Sequence, residues 1–135
     1  MTSSISVSVR VAPADCWNCG CVIGIVSALR LERAGSSLDC SVADLTEYPE
    51  LAREIESAVP ASADVGPLRP RFSGTRSATY MSNGCRHCGA SFGNFYEFGT
   101  RYQEEEVALL SRKNDGNWAT FLNALETSED GHLFR

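Results

Sequence analysis

The N-terminal part of the chain shows a strict alternation of apolar and polar residues at positions 5–11. Such a period of two is the pattern of a half-buried β-strand, and Pro13 and Asp15 mark its predicted end. A second apolar run at residues 22–26 predicts another strand, while residues 28–33 fit either a continuation of it or a helix. Residues 16–20 lie between the two strands and are therefore predicted to form a tight turn.

Helical spacing replaces the alternation at residues 44–59, which we predict to form an α-helix. Its apolar face carries Leu51, Ile55, Ala58 and Val59. Pro49 suits the first turn of a helix, where its missing N–H costs no hydrogen bond, and Pro60 ends the helix. Residues 60–70 contain three prolines and a glycine, so they are predicted to form a loop.

The second half of the chain predicts both strands and helices. Residues 77–81 and 95–98 have the composition of strands, and Asn83-Gly84 is a turn signal. Residues 104–110 begin a short predicted helix, and a second amphipathic helix is marked by Trp118, Phe121, Leu122 and Leu125. The pattern as a whole predicts a mixed α+β fold in a single domain over residues 1–135.

Composition narrows the class of protein. The chain has 135 residues, of which 43% are hydrophobic and 21% charged, as in an ordinary globular domain. It has no apolar run of about 20 residues, so we expect no membrane partner. The N-terminus has neither the basic nor the apolar region of a signal peptide, so we expect a cytoplasmic protein. In a reducing cytoplasm, paired cysteines bind metal more often than they form disulfides.

Four of the six cysteines form two identical motifs, Cys16-x-x-Cys19-Gly20 and Cys85-x-x-Cys88-Gly89. We call residues 16–20 the first knuckle and residues 85–89 the second knuckle. Two thiolates at this spacing can bind one Zn²⁺ from a single turn, and a tetrahedral ion needs both knuckles. A site closed by four protein ligands is structural, because catalytic zinc keeps a position open for water. The glycines allow a positive φ after the second cysteine.

Other interpretations of the cysteines remain open at this stage. The four could be buried free thiols, or they could form disulfides. Cys16 and Cys19 could be a redox pair, although such thiols usually lie at a helix N-terminus rather than between strands. Cys21 and Cys40 are predicted to be small buried core residues.

The motifs carry a family resemblance. Asp15-Cys16-Trp17-Asn18-Cys19-Gly20 and the stretch from Tyr80 to Tyr96 resemble small uncharacterised bacterial zinc-ribbon proteins, which pair a C-W-x-C-G knuckle with an N-x-C-x-x-C-G-a-x-x-G-[DN]-[FY] knuckle. The resemblance implies an antiparallel zinc-ribbon sheet with one or two attached helices, and a Zn²⁺ cofactor bound by Cys16, Cys19, Cys85 and Cys88. It implies no activity.

The chain departs from a simple ribbon in its spacing. Between Cys19 and Cys85 lie 65 residues, where simple ribbons use roughly 15–20. We therefore expect an acidic helical insertion at about residues 40–70. A helical C-terminal extension is expected at about residues 104–127.

Charge suggests two kinds of partner. Residues 41–70 carry six acids against two arginines, whereas no acid lies between Asp64 and Glu97. We expect a non-enzymatic zinc-binding module that binds a partner protein as an adaptor or inhibitor, through Glu47, Glu50 and Glu54. The alternative is a nucleic-acid-binding ribbon that uses Arg71, Arg76, Arg86, His87 and Tyr96. An enzyme is not expected, because no catalytic triad, P-loop or open metal position is recognisable.

Overall fold

The computed structural model describes residues 4–73, 77–92 and 104–127. It has a mixed α+β fold, which confirms the predicted fold class. The strands are β1 (Ser4–Asp15), β2 (Val22–Arg33), β3 (Ser36–Cys40), β4 (Arg69–Ser73), β5 (Ala78–Gly84), β6 (Ser91–Phe92) and β7 (Glu105–Lys113). The helices are α1 (Pro49–Ala58) and α2 (Gly116–Thr127), with short 3₁₀ helices at Val42–Leu45 and Ala61–Ala63.

The strands form two antiparallel sheets. The larger sheet has the order β3-β2-β1-β7 and the smaller one the order β4-β5-β6. Strand β1 continues through Pro13 and ends at Asp15, the second of the two residues predicted to end it. Beyond Val11, β1 pairs with β2 but no longer with β7. Pro13 lacks a backbone N–H, and it is tolerated at this position because no described strand pairs with β1 on the β7 side beyond Val11.

The main core lies between the larger sheet and the two helices. The alternation in β1 places Ile5, Val7 and Val9 fully inside. Helix α1 contributes Leu51, Ala52 and Ile55, and α2 contributes Trp118, Phe121, Leu122 and Leu125. The helical spacing noted in the sequence is therefore the spacing of the core-facing positions, as expected for amphipathic helices.

Two segments for which the sequence allowed or predicted a helix are strands. Residues 28–33 continue β2, with Leu29 and Leu31 buried on either side of Arg30. The predicted helix at 104–110 is instead the start of β7, which pairs antiparallel with β1, so the expected helical extension at 104–127 is helical only from Gly116. The long β1 offers an open edge, and pairing with that edge outweighs the weak helical preference of the segment.

The acidic insertion at about 40–70 contains less helix than predicted. Helix α1 spans Pro49–Ala58, because residues 42–45 form a separate 3₁₀ helix. That helix begins where the Asp44 carboxylate accepts a hydrogen bond from the Ser41 amide at 2.9 Å. Among the residues that the structure describes, no helix is long and apolar enough to cross a membrane.

Candidate metal centre

The two knuckles have the same backbone fold. In the first, the Cys16 amide donates to the Cys21 carbonyl at 2.8 Å, and the Gly20 amide donates to the Cys16 carbonyl at 2.9 Å. Residues 85–90 repeat both hydrogen bonds at the same lengths. Gly20 has φ +78° and Gly89 has φ +81°, which confirms the predicted need for glycine.

The four knuckle sulfurs form one cluster. All four Sγ atoms lie within 4.8 Å of one another. The Sγ atoms of Cys16 and Cys88 are 3.6 Å apart, and those of Cys19 and Cys85 are 3.7 Å apart. Thiolates bound tetrahedrally to zinc at about 2.3 Å would be separated by about 3.8 Å. The spacing is thus compatible with a zinc site and too long for disulfides, and all six cysteines are free.

Several N–H groups donate hydrogen bonds to the sulfurs and so stabilise their negatively charged thiolate form. The Asn18 and Cys19 amides point at the Cys16 Sγ at 3.4 and 3.5 Å, and the His87 amide points at the Cys85 Sγ at 3.4 Å. The Asn18 side chain donates to the Cys88 Sγ at 3.4 Å, which links the two knuckles. Donors of this kind hold metal ligands in place and stabilise the thiolate form.

The thiol pKa values move in opposite directions. The pKa of Cys88 is lowered to about 6, because the Asn18 side chain and the Ala90 amide donate hydrogen bonds to its sulfur. The Cys21 amide lowers the pKa of Cys19, but burial and three neighbouring thiols outweigh it and raise that pKa to about 12. A bound cation would favour the thiolate form of these cysteines and release protons from them.

Trp17 joins the knuckles from the outside. Its side chain is 58% exposed, and its indole N–H donates to the Ser91 carbonyl in β6 at 2.9 Å. Both middle residues of the first knuckle, Trp17 and Asn18, thus contact the second half of the site. Sequence reasoning assigned neither residue a role, although both lie inside the quoted motif.

A small second core lies beneath the sulfurs. It consists of Cys16, Ile23, Ile25, Cys85 and Phe92. Phe92 is fully buried there, so it fills the space beneath the sulfurs and offers no surface on which a base could stack. Phe95, Tyr96, Phe98 and Tyr102 lie outside the described residues.

The middle residues of the second knuckle bind Asp64. Arg86 approaches one carboxylate oxygen at 3.2 Å and His87 approaches the other at 3.1 Å. Asp64 follows the second 3₁₀ helix with φ +56°, and its carbonyl accepts a hydrogen bond from the Gly24 amide in β2 at 3.1 Å. The end of the acidic insertion therefore contacts both β2 and the second knuckle.

The remaining predicted contact residues lie apart. Arg71 links β4 to β5 by donating a hydrogen bond to the Ser82 carbonyl at 2.8 Å. The pKa of Arg71 is lowered, mainly by burial and to a smaller extent by the positive charge of Arg69. Arg76 and Tyr96 lie outside the described residues.

The three glutamates predicted as partner contacts differ in their surroundings. Glu54 accepts hydrogen bonds from Arg112 at 2.6 Å and from the Trp118 indole at 3.2 Å, so it holds β7 and α2 to α1. Glu47 and Glu50 are exposed near the start of α1.

Asn83 was predicted to form a turn, but it is a buried residue of β5. Its side-chain oxygen accepts from the Val26 amide at 2.8 Å, and its side-chain nitrogen donates to the Val26 carbonyl at 2.9 Å. It thus connects the two sheets two residues before Cys85. The Asn-Gly sequence was misleading because asparagine also occurs within a strand, where its side chain can bind the backbone of a neighbouring strand, as Asn83 does with Val26.

The two other cysteines differ from each other. Cys40 is fully buried in the main core, as predicted. Cys21 is exposed, so its prediction as a buried residue is wrong. Its sulfur is outside the four-cysteine cluster, and its carbonyl instead accepts the hydrogen bond that closes the first knuckle.

Fold and site together define a class: a mixed α+β protein with four clustered cysteines that can hold a metal ion. Comparison with protein-family models, with curated proteins and with solved structures finds no match to this chain. The class therefore rests on the geometry of the chain itself.

Proposed function

We propose that this chain is a non-enzymatic zinc-binding module of the zinc-ribbon type, which binds a partner protein as an adaptor or inhibitor. The observation that supports it best is the cluster of four Sγ atoms within 4.8 Å of one another. Four thiolates around one Zn²⁺ leave no position for water or substrate, so the ion would stabilise the fold and perform no chemistry.

The metal itself is the first thing to test. Four cysteines in a tetrahedral arrangement suit zinc or iron, and metal analysis separates the two. We expect protein purified without chelator to contain about one equivalent of zinc and almost no iron. Cobalt substitution should give the absorption bands of tetrahedral thiolate coordination. Less than about half an equivalent of zinc, in protein that stays folded in a strong chelator, would contradict the proposal.

A protein partner is favoured over nucleic acid by how the basic side chains are used. Arg86 and His87 are engaged with Asp64, and Arg71 donates to backbone carbonyls. Large apolar side chains are exposed as well: Trp17, Val22, Phe72 and Leu109. Such residues are typical of protein contacts, whereas nucleic-acid binding depends on free cations.

Oligonucleotide binding tests the alternative directly. We expect the protein to show no measurable affinity for single- or double-stranded oligonucleotides at low salt. Affinity that falls steeply with salt, and that weakens in Arg76→Ala, would instead favour a nucleic-acid-binding ribbon.

Asp64 provides a test of how the insertion supports the site. We expect Asp64→Ala to lower zinc affinity about 10-fold, because it releases Arg86 and His87 and so frees the second knuckle. Competition with a chromophoric chelator measures this affinity. Glu126→Gln is the matched control. Glu126 lies on α2 and, like Asp64, pairs with an arginine, in this case Arg33 at 2.7 Å. Equal affinities in the two variants would show that the Asp64 contacts do not support the site.

A further inference from the structure

Strand β7 is an edge of the larger sheet. It has nine residues, and among the described strands it pairs only with β1. The opposite edge, β3, has five residues. An edge strand presents a row of N–H and C=O groups to which another strand can add, and a longer strand offers more of them.

The sequence of β7 is divided by charge. Glu105 and Glu106 lie at its start, Arg112 and Lys113 at its end, and the residues between them are uncharged. Leu109 lies at the centre of the strand and is 65% exposed. An exposed leucine in the middle of an edge strand, with opposite charges on either side, suits an apolar contact guided by charge.

A second copy of β7 matches this pattern in one orientation. In an antiparallel pair centred on Leu109, the two leucines face each other across a two-fold axis. The acidic start of each strand then faces the basic end of the other. A parallel pair would place Glu105 beside Glu105 and Lys113 beside Lys113, which is unfavourable. Charge therefore selects the symmetric, antiparallel arrangement, which is that of a closed dimer.

The bulge in β7 preserves this match. The register of β7 against β1 skips Val107, so one extra residue lies in the first half of the strand. If the pair follows the same skip, Glu105 faces Arg112; without the skip, Glu105 faces Lys113. Opposite charges face each other in both registers.

We propose that two copies of this chain form a dimer through antiparallel pairing of their β7 strands, which joins the two larger sheets into one. The contact is independent of the metal centre, because the four clustered cysteines lie on the knuckles and not on β7. A pair of single strands is at the small end of protein interfaces, so we expect a dissociation constant of about 1–100 µM.

Sedimentation velocity of the metal-loaded full chain over about 1–300 µM tests the proposal, since this range spans the expected dissociation constant. We expect the mass to rise from monomer to dimer. Leu109→Lys should weaken the dimer at least about 10-fold, because two lysines would face each other at the axis. The matched control is Phe72→Lys, which replaces another large exposed side chain, 70% exposed, on β4, and should dimerise like the wild type. Circular dichroism and metal content confirm that both variants are folded.

Charge reversal tests the orientation. Glu105→Lys should weaken the dimer. Combining it with Lys113→Glu in the register without the skip, or with Arg112→Glu in the register with the skip, should recover most of the lost affinity because opposite charges face each other again. A monomer at every concentration would overturn the proposal. So would a dimer that Leu109→Lys leaves unchanged, since it would use another surface. Neither result bears on zinc content, so failure here is distinct from failure of the proposed function.

Discussion

Cys88→Ser is expected to lower the free energy of unfolding by about 4 kcal/mol. This is the entropic contribution to stability expected of a cross-link that closes a loop of about 70 residues. The ion would join knuckles that lie far apart in the chain, and there is little other packing directly beneath the sulfurs. Strand β6 has two residues, and the second core consists of five buried residues. A loss of this size is a large part of the total stability of a typical domain.

Urea unfolding followed by circular dichroism measures the effect, with zinc content determined on the same samples. Cys21→Ser is the matched control. That cysteine is close in sequence to Cys19, yet its sulfur lies outside the four-cysteine cluster. We expect it to keep wild-type stability and a full equivalent of zinc. If Cys88→Ser keeps both of these as well, the cluster does not stabilise the fold through a metal.

Asn83→Ala is expected to cost about 2–4 kcal/mol, although the residue lies outside the metal cluster. The substitution leaves the amide and the carbonyl of Val26 without their partner in a buried environment. It also removes a direct link between the sheets close to Cys85. Urea unfolding gives the loss of stability, and hydrogen exchange at the Val26 amide reports whether this hydrogen bond is the one lost.

Two comparisons separate hydrogen bonding from packing at this site. Asn83→Leu fills a similar volume without hydrogen bonds, so it should be destabilised as much as Asn83→Ala. Asn123→Ala is the control, since Asn123 is exposed on α2 and its replacement should change stability by less than about 0.5 kcal/mol. A stable Asn83→Leu would mean that the side chain contributes volume rather than a connection between the sheets.

The local part of the metal site was predictable because it depends on a few adjacent residues. A C-x-x-C-G motif sets a turn with two thiols on one side, and a positive φ at Gly20 and Gly89 follows from the same motif. That both motifs meet at one centre was also predictable, since one tetrahedral ion needs four ligands. The contacts that support the cysteine cluster were not predictable, because Trp17, Asn18 and Asp64 bind residues that are far away in the sequence.

The features that the sequence did not predict share a physical cause. The segment at 104–110 has no strong local preference, and it becomes a strand because β1 offers an edge to pair with. The contacts of Arg86 and His87 with Asp64 were not predicted, because nothing in the sequence brings Asp64 to them. In each case the decisive partner is more than 20 residues away along the chain.

The sequence by itself determined the period of β1, the buried faces of α1 and α2, and the four cysteines that come together. These depend on repeats of two or about 3.6 residues and on the reach of a single turn. Only the tertiary structure decided that β7 lies at the edge of the larger sheet among the described strands, that Asn83 connects two sheets and that Cys21 is exposed. Strand pairing and burial are set by non-local contacts, and a local pattern of residues does not encode which distant partner will fill them.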